Sequence, residues 1–80
     1  MQQETRITQE RIGVLIGKKG QTQREIEEKT GTKIQVDSEE GIVFIEGEDA
    51  DGFIQAVETV KAIARGFSPE RASILLEDPD

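Results

Sequence analysis

Ile12-Gly13-Val14-Leu15-Ile16-Gly17-Lys18-Lys19-Gly20 is the stretch on which the fold turns. Ile12, Leu15 and Ile16 stand three and four residues apart, the spacing of one apolar helix face, which predicts a short helix over residues 9–16. Gly17 stops it. A second helix is predicted from Gln21 to Thr30, rich in Glu, Gln, Arg and Lys, with Ile26 as its one strongly apolar residue and Gly31 as its stop. Between the two helices only Gly17-Lys18-Lys19-Gly20 remains, a tight loop with a glycine at each end.

Working outward, Thr5-Arg6-Ile7-Thr8 carries β-branched residues in alternation and is predicted as a short strand. On the other side, Lys33 to Asp37 alternates and Ile42 to Ile45 is a compact β-rich run, with residues 38–41 as the turn of an antiparallel pair. A long helix follows from Ala50 to Arg65, where Phe53, Val57, Val60 and Ala64 repeat at helical spacing, with Asp49 as N-cap and Gly66 as stop. Ser68-Pro69-Glu70 has the residues of another helix start, with Ala72, Leu75 and Leu76 as its apolar face. The predicted order is β-α-α-β-β-α plus a short C-terminal helix: an α+β domain over residues 1–66, with three antiparallel strands backed by three helices, and a helical extension over 67–80.

The totals narrow the function. Eighty residues give room for one core. Apolar and charged residues are each 34 %, lean but sufficient for a folded domain. Cysteine and histidine are absent, which removes disulfides, the usual zinc ligands, thiol nucleophiles and imidazole bases, so neither an enzyme nor a cofactor is expected. No apolar run approaches the roughly 20 residues that cross a bilayer, and no charged-then-apolar leader opens the chain. A soluble, cytoplasmic protein with no membrane partner is expected. The formal charge is −7 but unevenly placed. Residues 1–36 hold seven basic and five acidic side chains, whereas residues 37–80 hold three basic and twelve acidic. One end can therefore meet an anion that the other repels.

That end contains the loop. Gly17 and Gly20 let a backbone approach closely, the first amides of the second helix near Gln21 and Thr22 point at whatever lies over the loop, and Lys18, Lys19 and Arg24 add charge. A phosphodiester backbone suits such a loop, although a lone G-x-x-G is more often a turn with two solvated lysines. Gly13 sits inside a helix, where glycine costs about 1 kcal/mol against alanine; either a nucleotide on that helix or close packing against the sheet would account for it. Lys33, Ile34 and Val36 would stand on a strand opposite the loop as a second, aliphatic wall. The only aromatics are Phe44, Phe53 and Phe67, two of which look like core, so base stacking of the RRM or OB type is set aside. Gly13 to Lys19 departs from a Walker loop in having three residues between its glycines and no Ser or Thr after the lysine. Asp49-Ala50-Asp51-Gly52 departs from a calcium loop at its glycine and at its twelfth position.

Taken together, Ile12 to Gly20, Ile26, and Thr30-Gly31-Thr32-Lys33-Ile34-Gln35-Val36 resemble the KH motif of type I KH domains. The resemblance implies that single-stranded RNA runs in a groove, about four nucleotides at a time. Gly13, Val14 and Ile16 would meet the nucleotides, Gly17 to Gly20 would clamp the backbone, Ile34 and Val36 would line the floor, and Lys33 would contact base or phosphate. Arg11 to Gly31 and Lys61 to Glu70 are similar to the first KH domain of an archaeal family of two-KH-domain factors in small-subunit ribosomal RNA maturation. The chain would then be the first half of such a factor, and Leu75 and Leu76 would face a second KH domain or a protein partner. Gln23 departs from the pattern, standing where many KH domains place an apolar residue, and weaker affinity is expected from it. A rival reading is a degenerate KH domain that serves as a protein-interaction or dimerisation module.

Overall fold

The computed structural model describes residues 1–67. The helix expected from Ser68, with Leu75 and Leu76, lies outside the described residues. The elements are β1 (Gln2–Arg6), α1 (Gln9–Ile16), a single 3-10 turn (Lys18–Gly20), α2 (Gln21–Thr30), β2 (Thr32–Asp37), β3 (Ile42–Gly47) and α3 (Ala50–Ala64). The strands form one antiparallel sheet in the order β1-β3-β2, so β3 is central and β2 is an edge.

Alternation along β3 sends Val43 and Ile45 toward the helices, where both are fully buried, together with Ile34 of β2. Leu15 of α1, Ile26 of α2 and Ala56, Val60 and Ile63 of α3 close over them. Burying each large aliphatic side chain contributes about 1.5–3 kcal/mol, so this one cluster supplies most of what holds the layers together. Outward, the same alternation lines up Glu4, Phe44 and Gln35 across the three strands, with Gln2, Glu46 and Lys33 beside them. Phe44 is 38 % exposed and Phe67 48 %, so only Phe53, half-buried against the core, fits the expectation of two core aromatics.

The expected strand at Thr5 to Thr8 begins and ends earlier. Pairing with β3 carries β1 back to Gln2, whereas Ile7 turns into the core after its N–H bonds Gly41 O at 2.9 Å, and Thr8 becomes the N-cap of α1. The β2–β3 turn is braced by Asp37, whose Oδ1 accepts from the amides of Glu39 and Glu40, each at 3.1 Å. Asp49 caps α3 as expected, its Oδ2 accepting from Gly52 N at 2.7 Å. At the other end Gly66 N donates to Ile63 O and Phe67 N to Ala62 O, the paired bonds of a Schellman stop. Arg11 ties α1 to this end, with Nε donating to Ile63 O at 2.8 Å and Nη2 to Phe67 O at 2.6 Å.

α2 and α3 approach closely at Gly52. Gly52 is buried, and a Cβ built there would collide with the carbonyl oxygen of Thr30 at the end of α2. Replacing Gly52 with Ala is expected to lower stability by about 1–3 kcal/mol, as overpacking does. Ile54→Ala, on the solvent side of the same helix, should stay within about 0.5 kcal/mol. Urea midpoints of the two variants check this.

Candidate nucleic-acid interface

The loop is built by three positive-φ residues in a row of four. Gly17 closes α1 at φ 74°, Lys19 stands at φ 56°, ψ 27°, and Gly20 enters α2 at φ 75°. Lys19 is the one non-glycine residue with positive φ among the described residues, a conformation that costs about 1–2 kcal/mol. Its surroundings hold it there: Arg24, one turn into α2, donates from Nη2 to Lys19 O at 3.1 Å, and Gly20 N donates to Gly17 O at 3.2 Å. The result is that Lys18 and Lys19 are both exposed over the start of α2. No side chain caps that helix end. Cations and an uncapped helix N-terminus therefore meet at one place, the arrangement that favours an anion.

Gly17 also fixes the angle between the helices. A Cβ on it would sit 2.7 Å from Thr22 Cβ and 2.9 Å from Thr22 N, so the first turn of α2 folds directly against the end of α1. Gly13 behaves differently. It is exposed, and a Cβ built on it meets nothing within 4 Å, which removes close packing against the sheet as its explanation.

The apolar candidates divide. Val14 and Ile16 on α1 and Val36 on β2 are half-buried, packed against the core yet still partly open. Ile34 is 2 % exposed and its side chain belongs to the core, not to the surface. Lys33, next to it, points to the outer face of the sheet, since neighbouring strand residues face opposite ways. Val14 and Ile16 thus precede the loop on α1, Gln21, Thr22 and Arg24 follow it on α2, and Val36 lies on β2, while Lys33 stands on the outer face of the sheet and shares a surface hollow with Arg24. Two hollows of the surface lie away from the loop, one on the outer sheet face around Phe44, Gln35 and Lys33 and one between α2 and the sheet around Arg24, Glu27, Thr32 and Lys33.

Two contacts were hidden in the sequence. Gln23 Nε2 donates to Ile34 O at 2.7 Å, and Ile34 N donates to Glu27 Oε2 at 2.7 Å. Side chains one helical turn apart on α2 thus clip both outward backbone groups of a single edge-strand residue. The i, i+4 pair of an amide and a carboxylate facing a strand is the signal that could have found it. By the same alternation, the N–H and C=O of Val36 face the open edge beside the clip. Among the described residues no helix is long and apolar enough to cross a membrane, and no group of three or more acidic side chains is placed to hold a metal ion.

A protein-family model described as KH domain matches residues 2–62. A KH domain-containing protein of Methanocaldococcus jannaschii is 43 % identical over 77 residues, covering 91 % of this chain and 34 % of that protein. The crystal structure of Dim2p from Pyrococcus horikoshii OT3 superposes with a TM-score of 0.91 at 50 % identity, covering 98 % of this chain and 49 % of that one. The same protein has also been crystallised in an a/eIF2alpha-aDim2p-rRNA complex, with a TM-score of 0.91. A polyribonucleotide nucleotidyltransferase of Roseiflexus castenholzii is 46 % identical over 59 residues, which amount to 8 % of that enzyme. The chain therefore spans about a third of the curated relative and half of the solved Pyrococcus chain.

Because Gly13 is open and Gly17 is closed, their alanine variants should move in opposite directions. Gly13→Ala is expected to raise stability by up to about 1 kcal/mol through helix propensity. Gly17→Ala is expected to lower it by more than about 1 kcal/mol, through positive φ and the clash with Thr22. Thermal melts followed by circular dichroism give both signs.

Proposed function

As the chain belongs to the KH-domain family of RNA-binding modules and has the type I order β-α-α-β-β-α, we propose that it grips about four nucleotides of single-stranded RNA in this groove. The observation that carries the reading is the loop geometry: two exposed lysines held over an uncapped helix end, braced by Arg24 on Lys19 O. A phosphate seated there meets charge and helix dipole together. The bases then turn toward Val14, Ile16 and Val36, an aliphatic surface that accepts them without aromatic stacking. Gly13, with nothing over it, lets a sugar or base approach the α1 backbone. Ile34 underlies this floor, and Lys33 reaches a longer strand only around the edge of β2.

Ribosomal RNA is the proposed target class, because the Pyrococcus relative is found in complex with rRNA. A role in small-subunit RNA maturation, within a cytoplasmic two-domain factor, rests on the same likeness. That complex also holds a protein, a/eIF2alpha, which supports a second reading in which this chain docks a protein partner. The polyribonucleotide nucleotidyltransferases share only a segment with it, and no activity of theirs is carried over.

Replacing both Lys18 and Lys19 with Asp is expected to abolish binding to short single-stranded RNA and leave the thermal transition in place, since Asp tolerates the left-handed conformation of residue 19. Unchanged affinity in a folded double variant would favour the protein-docking reading. For the unsubstituted chain, neutralising about two or three phosphates predicts a slope of log K against log salt near about −1.4 to −2.1. Gly13→Ala should weaken RNA binding while raising the melting temperature, a split that fluorescence anisotropy and melting together detect.

A further inference from the structure

The two edges of the sheet are not alike. On β2 the outward backbone of Ile34 is taken by Gln23 and Glu27, whereas β1 ends the sheet on the other side without such a clip. Met1 and Gly47 exchange both backbone hydrogen bonds, at 2.9 and 3.0 Å, and Ile7 N donates to Gly41 O at 2.9 Å. The odd-numbered residues of β1 therefore face β3, and the N–H and C=O of Glu4 and Arg6 point out of the sheet edge. Among the described residues no hydrogen bond reaches these outward groups. The side chains of Glu4 and Arg6 are exposed on the outer face, one acidic and one basic, two residues apart. Between them Thr5, opposite Val43, faces the helices, and its Oγ1 is buried without a hydrogen-bond partner, a costly state for a hydroxyl. On that inner side α3 lies against β1 and keeps Val57 half-buried, so apolar surface adjoins the free edge.

We propose that β1 pairs antiparallel with β1 of a second copy of this chain, about a two-fold axis through Thr5. The pairing is independent of the RNA-binding reading. In this register Glu4 of each copy faces Arg6 of the other, and the outward N–H and C=O of both residues exchange backbone hydrogen bonds on each side of the axis. Opposite charges meet on the outer face at both ends, a favourable cross-strand pair. The two Thr5 residues meet on the helix face as a non-hydrogen-bonded pair, the kind whose side chains stand closer, and each hydroxyl gains a partner. Charge selects this register among those the backbone allows. Sliding by two residues one way sets Glu4 against Glu4, and the other way Arg6 against Arg6. An edge guarded by charges of one sign repels its own copy in every register, whereas β1 does so only out of register. The joined sheet runs β2-β3-β1-β1-β3-β2, with the clipped edges outermost.

Sedimentation velocity over a concentration series is expected to show monomer passing to dimer. Glu4→Arg and Arg6→Glu should each weaken self-association by about 10-fold or more, because both attractive pairs become repulsive. Mixed in equal amounts, the two variants should associate as the unsubstituted chain does, since every pair across the axis then joins opposite charges. The double exchange, Glu4→Arg with Arg6→Glu, should dimerise alone. A chain that stays monomeric at its highest soluble concentration, or a mixture of the folded variants that fails to restore the dimer, overturns the proposal. Hydrogen exchange of the unsubstituted chain tests it without a variant. The amides of Glu4 and Arg6 should exchange more slowly as concentration rises, while those of Gln3 and Thr5, bonded to β3, stay protected throughout. Exchange at Glu4 and Arg6 that ignores concentration overturns it as well.

Discussion

The contact between Gly17 and Thr22 governs the rest of the molecule. Because residue 17 has no Cβ, the first turn of α2 lies directly on the end of α1, and that single approach sets where α2 points. From there Ile26 reaches the core, Thr30 reaches Gly52 of α3, and Gln23 and Glu27 reach the edge of β2. Lys18 and Lys19 follow directly on this approach and are exposed next to the helix start.

The helices and their stops were legible in the sequence because each carries its own punctuation. Asp49 caps α3, Gly66 ends it, and Gly31 ends α2, all through local backbone chemistry. The strands were less so. Gln2-Gln3-Glu4 has little intrinsic β preference and joins the sheet only because β3 extends to Gly47 and offers partners. Ile42-Val43-Phe44-Ile45 is apolar throughout, which hides its period, and only the register shows that Phe44 faces away from the helices.

Charge was legible in total but not in use. Of the basic residues in the first half, Arg11 is spent on the carbonyls of Ile63 and Phe67, and Lys33 stands on the outer sheet face. What remains near the loop is Lys18, Lys19 and Arg24, the last partly engaged in holding Lys19. A small number of well-placed cations, facing an otherwise acidic molecule, makes for a contact whose strength depends on geometry and salt more than on bulk charge. The placement of Gln23 was harder to foresee, because its partner is a backbone carbonyl eleven residues away and the i, i+4 pairing with Glu27 is the one sequence signal that marks it.

The clip at Ile34 has a further effect on what the molecule can associate with. An edge strand normally offers a row of unpaired amides and carbonyls along which another strand can zip. Here α2 interrupts that row at its middle, so the open stretch at Val36 is one residue long. An extended polypeptide needs several consecutive pairs before it gains anything, so this edge of the sheet is closed to strand pairing along β2.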